Sequence, residues 1–174
     1  SSVTLPATGT TVNHTQVTYT LSENCSSGAV TWTQTGGTAD GASPHAQAMT
    51  GAELGAGAHT ATTLANNPTL VSGSIYTVTV ACTDLAGNAA TAVSVASVTF
   101  DNVTPVISAV APTTGVWVAN TQVSYTVSEN CNTASITWTR TGGTADGGAP
   151  HVQALSAAEK LAGAHNNITL GSNP

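Results

Sequence analysis

Charge is what this chain has least of. Charged side chains make up 6% of its 174 residues, and only Arg140 and Lys160 are basic, against eight acidic ones. A protein that grips phosphate groups needs clustered Lys and Arg, so neither nucleic acid nor an anionic membrane is expected as a partner. Long apolar runs are missing too: none approaches the roughly 18 residues that span a bilayer, and no secretory leader opens the chain. The sequence therefore reads as an excised or mature portion that does not insert into a membrane. Aromatics are scarce at 4%, which leaves few side chains for an exposed sugar-stacking platform. Lysine is absent before Lys160, so an internal Lys–Asn isopeptide is excluded from the first hundred residues.

What is present is present twice. Cys131 follows Cys25 by 106 residues, and the same step carries Trp32 to Trp138, Asp40 to Asp146, His45 to His151, Glu53 to Glu159 and His59 to His165. "TWTQTGGTADGASPH" faces "TWTRTGGTADGGAPH", and "TQVTYTLSENC" faces "TQVSYTVSENC". A period this long exceeds solenoid repeats, so each copy should be a domain with its own core. We expect a full unit over residues 1–105 and a truncated second unit over 106–174, without equivalents of the last two strands.

Within a unit the pattern is β almost throughout. "TQVTYTL" and "GAVTWTQT" alternate apolar and polar residues, as do "SIYTVTVAC" and "ATAVSVASVTF". Threonine suits such strands because its branched side chain packs on a pleated, half-exposed surface. Gly-, Asn- and Pro-rich breaks separate the runs. Strands are expected near 3–5, 15–22, 28–35, 45–49, 58–64, 74–82 and 90–100. One helical turn is expected at Thr50–Leu54 and again at Ser156–Leu161, with Glu53 and Glu159 closing capping boxes rather than acting as catalysts. Short strands with turns every 8–12 residues spell an all-β, immunoglobulin-like Greek-key sandwich, repeated in tandem, with Trp32 and Trp138 in its cores.

The end of the first unit carries a further signature. Tyr76 in "YTVTVAC", the Asp84–Asn88 turn "DLAGN" and the linker Asp101–Pro105 "DNVTP" resemble the closing strand, turn and linker of bacterial immunoglobulin-like domains that repeat in large surface adhesins. That resemblance covers the whole chain. It implies a non-enzymatic extracellular spacer, with calcium or ligand sites in some members.

In such a topology Cys25 and Cys82 end two strands at one pole and face each other across the sandwich, where a disulfide would join them; the alternative is buried free thiols. Cys131 is then the odd one, its partner lying in the part the second unit lacks. The same pole gathers oxygen donors. Asp101, Asn102 and Glu129 are expected to meet at the joint between units, and Glu23, Asp84 and Asn88 to form the matching set in the first. Such oxygens suit Ca²⁺, while the plainer reading is that Asp and Asn initiate turns. No cofactor is required.

Other signals read as scaffold. "LPATG" at Leu5–Gly9 matches a sorting signal but is followed by strands, and reads as a kink in the first strand. The histidines lack metal-ligand spacing and read as loop or strand-edge residues. No nucleophile elbow is present, so no enzyme is expected. Sequons stand at Asn13, Asn24, Asn102 and Asn167 and matter only in a glycosylating host. Three functions follow as expectations: a stalk segment contacting neighbouring repeats; a filament subunit completed by strands from a neighbour; and a carbohydrate- or surface-binding module using Trp117.

Overall fold

A computed structural model describes residues 1–171; Ser172–Pro174, including the counterpart of Pro68, lie outside the described residues. The chain divides into two compact units, Ser1–Val103 and Thr104–Pro174, two residues earlier than the expected boundary.

The first unit is all-β. Its strands are β1 (Ser2–Leu5), β2 (Thr11–Val12), β3 (Val17–Leu21), β4 (Cys25–Gly37), β5 (His45–Ala48), β6 (Gly57–Thr62), β7 (Ser74–Asp84) and β8 (Val93–Phe100). They form a three-stranded sheet, β1-β3-β6, and a five-stranded sheet, β2-β8-β7-β4-β5. Alternation dictates what each sheet buries. Val17, Tyr19 and Leu21 of β3 face Val30 and Trp32 of β4, Tyr76, Val78 and Val80 of β7, and Val98 and Phe100 of β8, in one continuous core. Trp32 is fully buried, and its indole N–H donates to Gln47 Oε1 at 3.1 Å.

The strand expected at 45–49 forms as β5 and pairs with β4, Trp32 opposite His45, in the larger sheet. Two features depart from the sequence pattern. Thr11–Val12 forms a short strand parallel to β8, which the sequence pattern did not show. The "LPATG" stretch is more than a kink: it carries the chain from the β1 sheet to the β8 sheet, turning through Gly9 at φ +77°.

The capping turn forms as expected. Gly51–Leu54 is a 3-10 turn in which Glu53 Oε2 accepts the Thr50 backbone N–H at 2.7 Å. In the second unit Ala158–Lys160 repeats it, with Glu159 Oε2 accepting the Ser156 N–H at 2.6 Å.

The second unit holds β9 (Ile107–Ala111), β10 (Val123–Val127), β11 (Ser135–Trp138), β12 (His151–Ala154) and β13 (Gly163–Ile168). β13-β10-β9 form one sheet and β11-β12 a second. Its buried core is small: Val123, Tyr125, Val127 and Leu170, with Ile136 and Trp138 packed against it. Trp138 is only half-buried, which corrects the expectation of a core position equivalent to Trp32. Trp32 is covered by β7 on the next strand of its sheet; β11 has β12 on one edge and no described strand on the other.

One backbone irregularity recurs. Ala61 on β6 has φ +47° and its N–H donates to Thr18 Oγ1, while Asn167 on β13 has φ +51° and donates to Ser124 Oγ. The left-handed region disfavours Ala and tolerates Asn. Ala61→Asn should therefore stabilise the first unit by about 0.5–1 kcal/mol, read from urea melts. Unchanged or lower stability would show that the neighbouring bulge, not the residue, sets this conformation.

Candidate functional site

The expected disulfide is present: Cys25 and Cys82 are bonded, with Cα atoms 6.0 Å apart. Its placement differs from the expectation. Cys25 opens β4 rather than ending β3, and Cys82 lies on the adjacent strand β7, so the bond ties neighbours of one sheet instead of crossing the sandwich.

Beside it, Glu23, Asp84 and Asn88 line one cavity of about 100 Å³. The structure thus brings the first-unit oxygen set together. Asp84, however, serves its own turn: Oδ1 accepts the N–H groups of Ala86 and Asn88, each at 2.8 Å, and Oδ2 accepts the Asn88 amide Nδ2 at 2.9 Å. Those bonds, the Asn88 side chain foremost, hold the Asp84 carboxyl below its ordinary value. Asp101 closes the end of the first unit in the same manner, its Oδ1 accepting Ser72 Oγ–H at 3.0 Å and the Val103 N–H at 3.1 Å. The N–H of Asn102 donates to Ser72 Oγ. Glu129 belongs to the second unit and keeps Oε1 buried without a hydrogen-bond partner. Among the described residues, no three His, Cys, Asp or Glu side chains gather as metal ligands.

A polar cluster that sequence reasoning missed lies deeper. The Asp40 side chain is 2% exposed, and its Oδ2 accepts both the His45 Nε2–H at 2.6 Å and the Tyr76 hydroxyl at 2.7 Å. Its Oδ1 accepts the Ala42 N–H at 3.0 Å. Tyr76 in turn accepts the Val71 N–H, so the cluster pins two loops to the core. His45, then Tyr76, hold the Asp40 carboxyl below its ordinary value against the opposing effect of burial. Burial and the Asp40 bond push the Tyr76 hydroxyl up. The signal available beforehand was the recurring Asp-x-x-x-x-His, seen again as Asp146 and His151 at 2.8 Å. In the second unit that pair is more open to solvent.

His59 and His165 brace strand edges. His59 stacks on Tyr19 with ring centroids 4.5 Å apart and donates to the Gly55 carbonyl; His165 stacks on Tyr125 at 4.9 Å and donates to the Leu161 carbonyl. Tyr19 also donates to the Glu53 carbonyl, and burial, with a smaller push from the Glu53 charge, raises its hydroxyl to about 12. It stays neutral over any physiological range.

The second unit opens differently. An apolar groove of about 360 Å³ runs between β10 and β11, lined among others by Val123, Tyr125, Cys131, Ile136 and Trp138. Cys131 is a free thiol, and the Trp138 indole nitrogen is buried without an acceptor. Trp117, between Val116 and Val118, is 99% exposed.

Compared with family models, curated proteins and solved structures, the chain matches none of them. Among the described residues no helix is long and apolar enough to cross a membrane.

Proposed function

We propose that the chain is a non-enzymatic structural repeat: a stalk or spacer segment of an extracellular, adhesin-like protein, built from immunoglobulin-like Greek-key units. The observation that carries this reading is the closure of the first unit upon itself. Its acidic and aromatic polar groups are engaged in its own scaffold: Asp40 with His45 and Tyr76, Asp84 with its turn, Tyr19 with the Glu53 carbonyl. A buried Asp–His–Tyr group, 2% exposed at the carboxylate, serves a frame better than a substrate. The disulfide supports an oxidising, extracellular location.

The strand order β1-β3-β6 against β2-β8-β7-β4-β5 supports the immunoglobulin-like assignment, and with it the likeness to bacterial repeat domains. Glycan binding has one observation behind it, the exposure of Trp117, whereas Trp32 is taken into the core. Calcium, as part of this proposal, would have to recruit Glu23 and displace amide donors already on Asp84.

The test is location. Antibodies raised against residues 1–103 should label extended projections on intact cells of the source organism in immunogold micrographs. Labelling confined to the cytoplasm, or lost with no change in any surface structure, would overturn the spacer reading.

A further inference from the structure

We infer that the first unit carries a cleft for a neutral saccharide, formed where the 13–16 and 63–70 loops meet Asn102. The inference goes beyond the spacer reading and does not require it, since a spacer needs no ligand. To the exposure of Trp117 it adds a second, separate observation that bears on glycans.

The scaffold engages the acidic and aromatic polar groups of this unit but leaves a set of its amides. A cavity of about 340 Å³ lies between the two loops, and Asn13, Gln16, Asn67 and Asn102 all line it. Among the described residues, the side chains of Asn13, Gln16 and Asn102 have no hydrogen-bond partner. Carboxamides around one cavity present paired donors and acceptors that the fold does not use.

Two of the lining groups are held in place. Buried Thr15 donates its hydroxyl to Asn67 Oδ1, and fully buried Gln47 donates Nε2–H to the same oxygen at 3.4 Å. Gln47 in turn accepts the Trp32 indole N–H in the core. This chain of bonds anchors the Asn67 carbonyl. Asn67 itself is exposed, and its planar amide keeps two N–H donors without an acceptor among the described residues. His14, also on the cavity wall, accepts the Gln16 backbone N–H at Nδ1, 3.3 Å away. In the neutral ring that bond leaves Nε2–H as a further donor.

The lining selects the class of ligand. No carboxylate, lysine or arginine faces the cavity, so nothing there balances the charge of an ionic ligand. Pro68, Leu70 and Phe100 give it a small apolar wall. A saccharide suits both: adjacent hydroxyls pair with a carboxamide as donor and acceptor at once, and the C–H face of the ring meets the apolar wall. A wholly apolar ligand would bury the amides unpaired, at a cost. The volume stands at the low end for small-molecule sites, room for roughly one or two sugar rings rather than a long peptide.

The experiment titrates the ¹⁵N-labelled 174-residue chain with cellobiose, maltose, lactose and N,N′-diacetylchitobiose. The host must not glycosylate, because Asn13 and Asn102 head sequons. At least one of these disaccharides should saturably shift the side-chain amide signals of Gln16, Asn67 and Asn102. The Gln16→Ala/Asn102→Ala chain should stay folded, since neither side chain bonds to the scaffold, and bind that sugar at least about ten-fold more weakly. Trp117→Ala should bind it as the native chain does. No saturable shift with any of the four sugars would overturn the inference. So would binding that survives the double substitution, binding that Trp117→Ala abolishes, or a capped trialanine peptide that competes for the same signals with equal or higher affinity.

Discussion

Reducing the Cys25–Cys82 bond should destabilise the first unit by about 4 kcal/mol, its sequence separation of 57 being the source of the effect. On the chain-entropy model a crosslink of this span removes conformations from the unfolded chain, and the native contacts hardly change. Both sulfurs sit at the edge of a packed core, Cys25 being 6% exposed, so the freed thiols remain as small apolar groups. Most of a small domain's margin would go with the bond. For a unit of about 100 residues the melting temperature should fall on the order of 20 °C. Urea melts with and without reductant measure this directly. The double variant Cys25→Ala/Cys82→Ala should match the reduced protein, because neither change introduces a buried hydroxyl. Transitions that coincide within about 1 kcal/mol would mean that the unfolded chain is already held compact around that loop.

The class of fold was legible because burial needs alternation and this chain alternates cleanly. Val17-Tyr19-Leu21 and Tyr76-Val78-Val80 each send every second residue inward, and those residues are the core. The capping turns were legible for a similar reason, since Thr50 and Glu53 interact within one turn. What alternation does not encode is which edge a strand joins. The strand at 45–48 has the same local pattern whether it pairs with β4 or with the opposite sheet. The choice lies in the Asp40 loop and in the Trp32–Gln47 bond, which fold it back onto β4.

Long-range polar contacts were hidden in the same way. Asp40 and His45 are five residues apart and recur together, so half of the buried cluster was visible in the repeat. Tyr76 is 36 residues from Asp40 and meets it only because β7 pairs with β4 in one register, Gln34 opposite Tyr76. The cysteine pairing was legible from the shared pole that an immunoglobulin-like topology gives Cys25 and Cys82, yet its placement within one sheet was not. Cys25 lies past the corner between β3 and β4, and a corner's position to within a few residues is a matter of backbone geometry.

Asp40→Ala should cost the first unit about 3 kcal/mol, because it strands buried donors rather than merely deleting a contact. The Tyr76 side chain is fully buried, and its hydroxyl accepts from Val71 and donates to Asp40. His45 loses its acceptor as well, and the 40–43 loop loses the Ala42 bond. Tyr76→Phe should cost only about 1 kcal/mol, since Asp40 keeps His45 and Ala42. The double variant should fall short of the sum, as expected for partners in one network. Acid provides an independent route to the same group. The Asp40 carboxyl is held below its ordinary value by His45 and then Tyr76, so its stabilisation is fully present above the unfolded value of about 3.9. It is lost as pH falls through the lower folded value, because protonation there removes the carboxylate that these donors require. Urea melts of the native protein should therefore weaken below about pH 4, and Asp40→Asn, which has no proton to take up, should show a shallower decline over the same window. Asp84 is shifted in the same direction and leaves a residual slope in both proteins. Parallel pH profiles for the native protein and Asp40→Asn would show that the cluster holds the fold by shape, with its charge contributing nothing measurable.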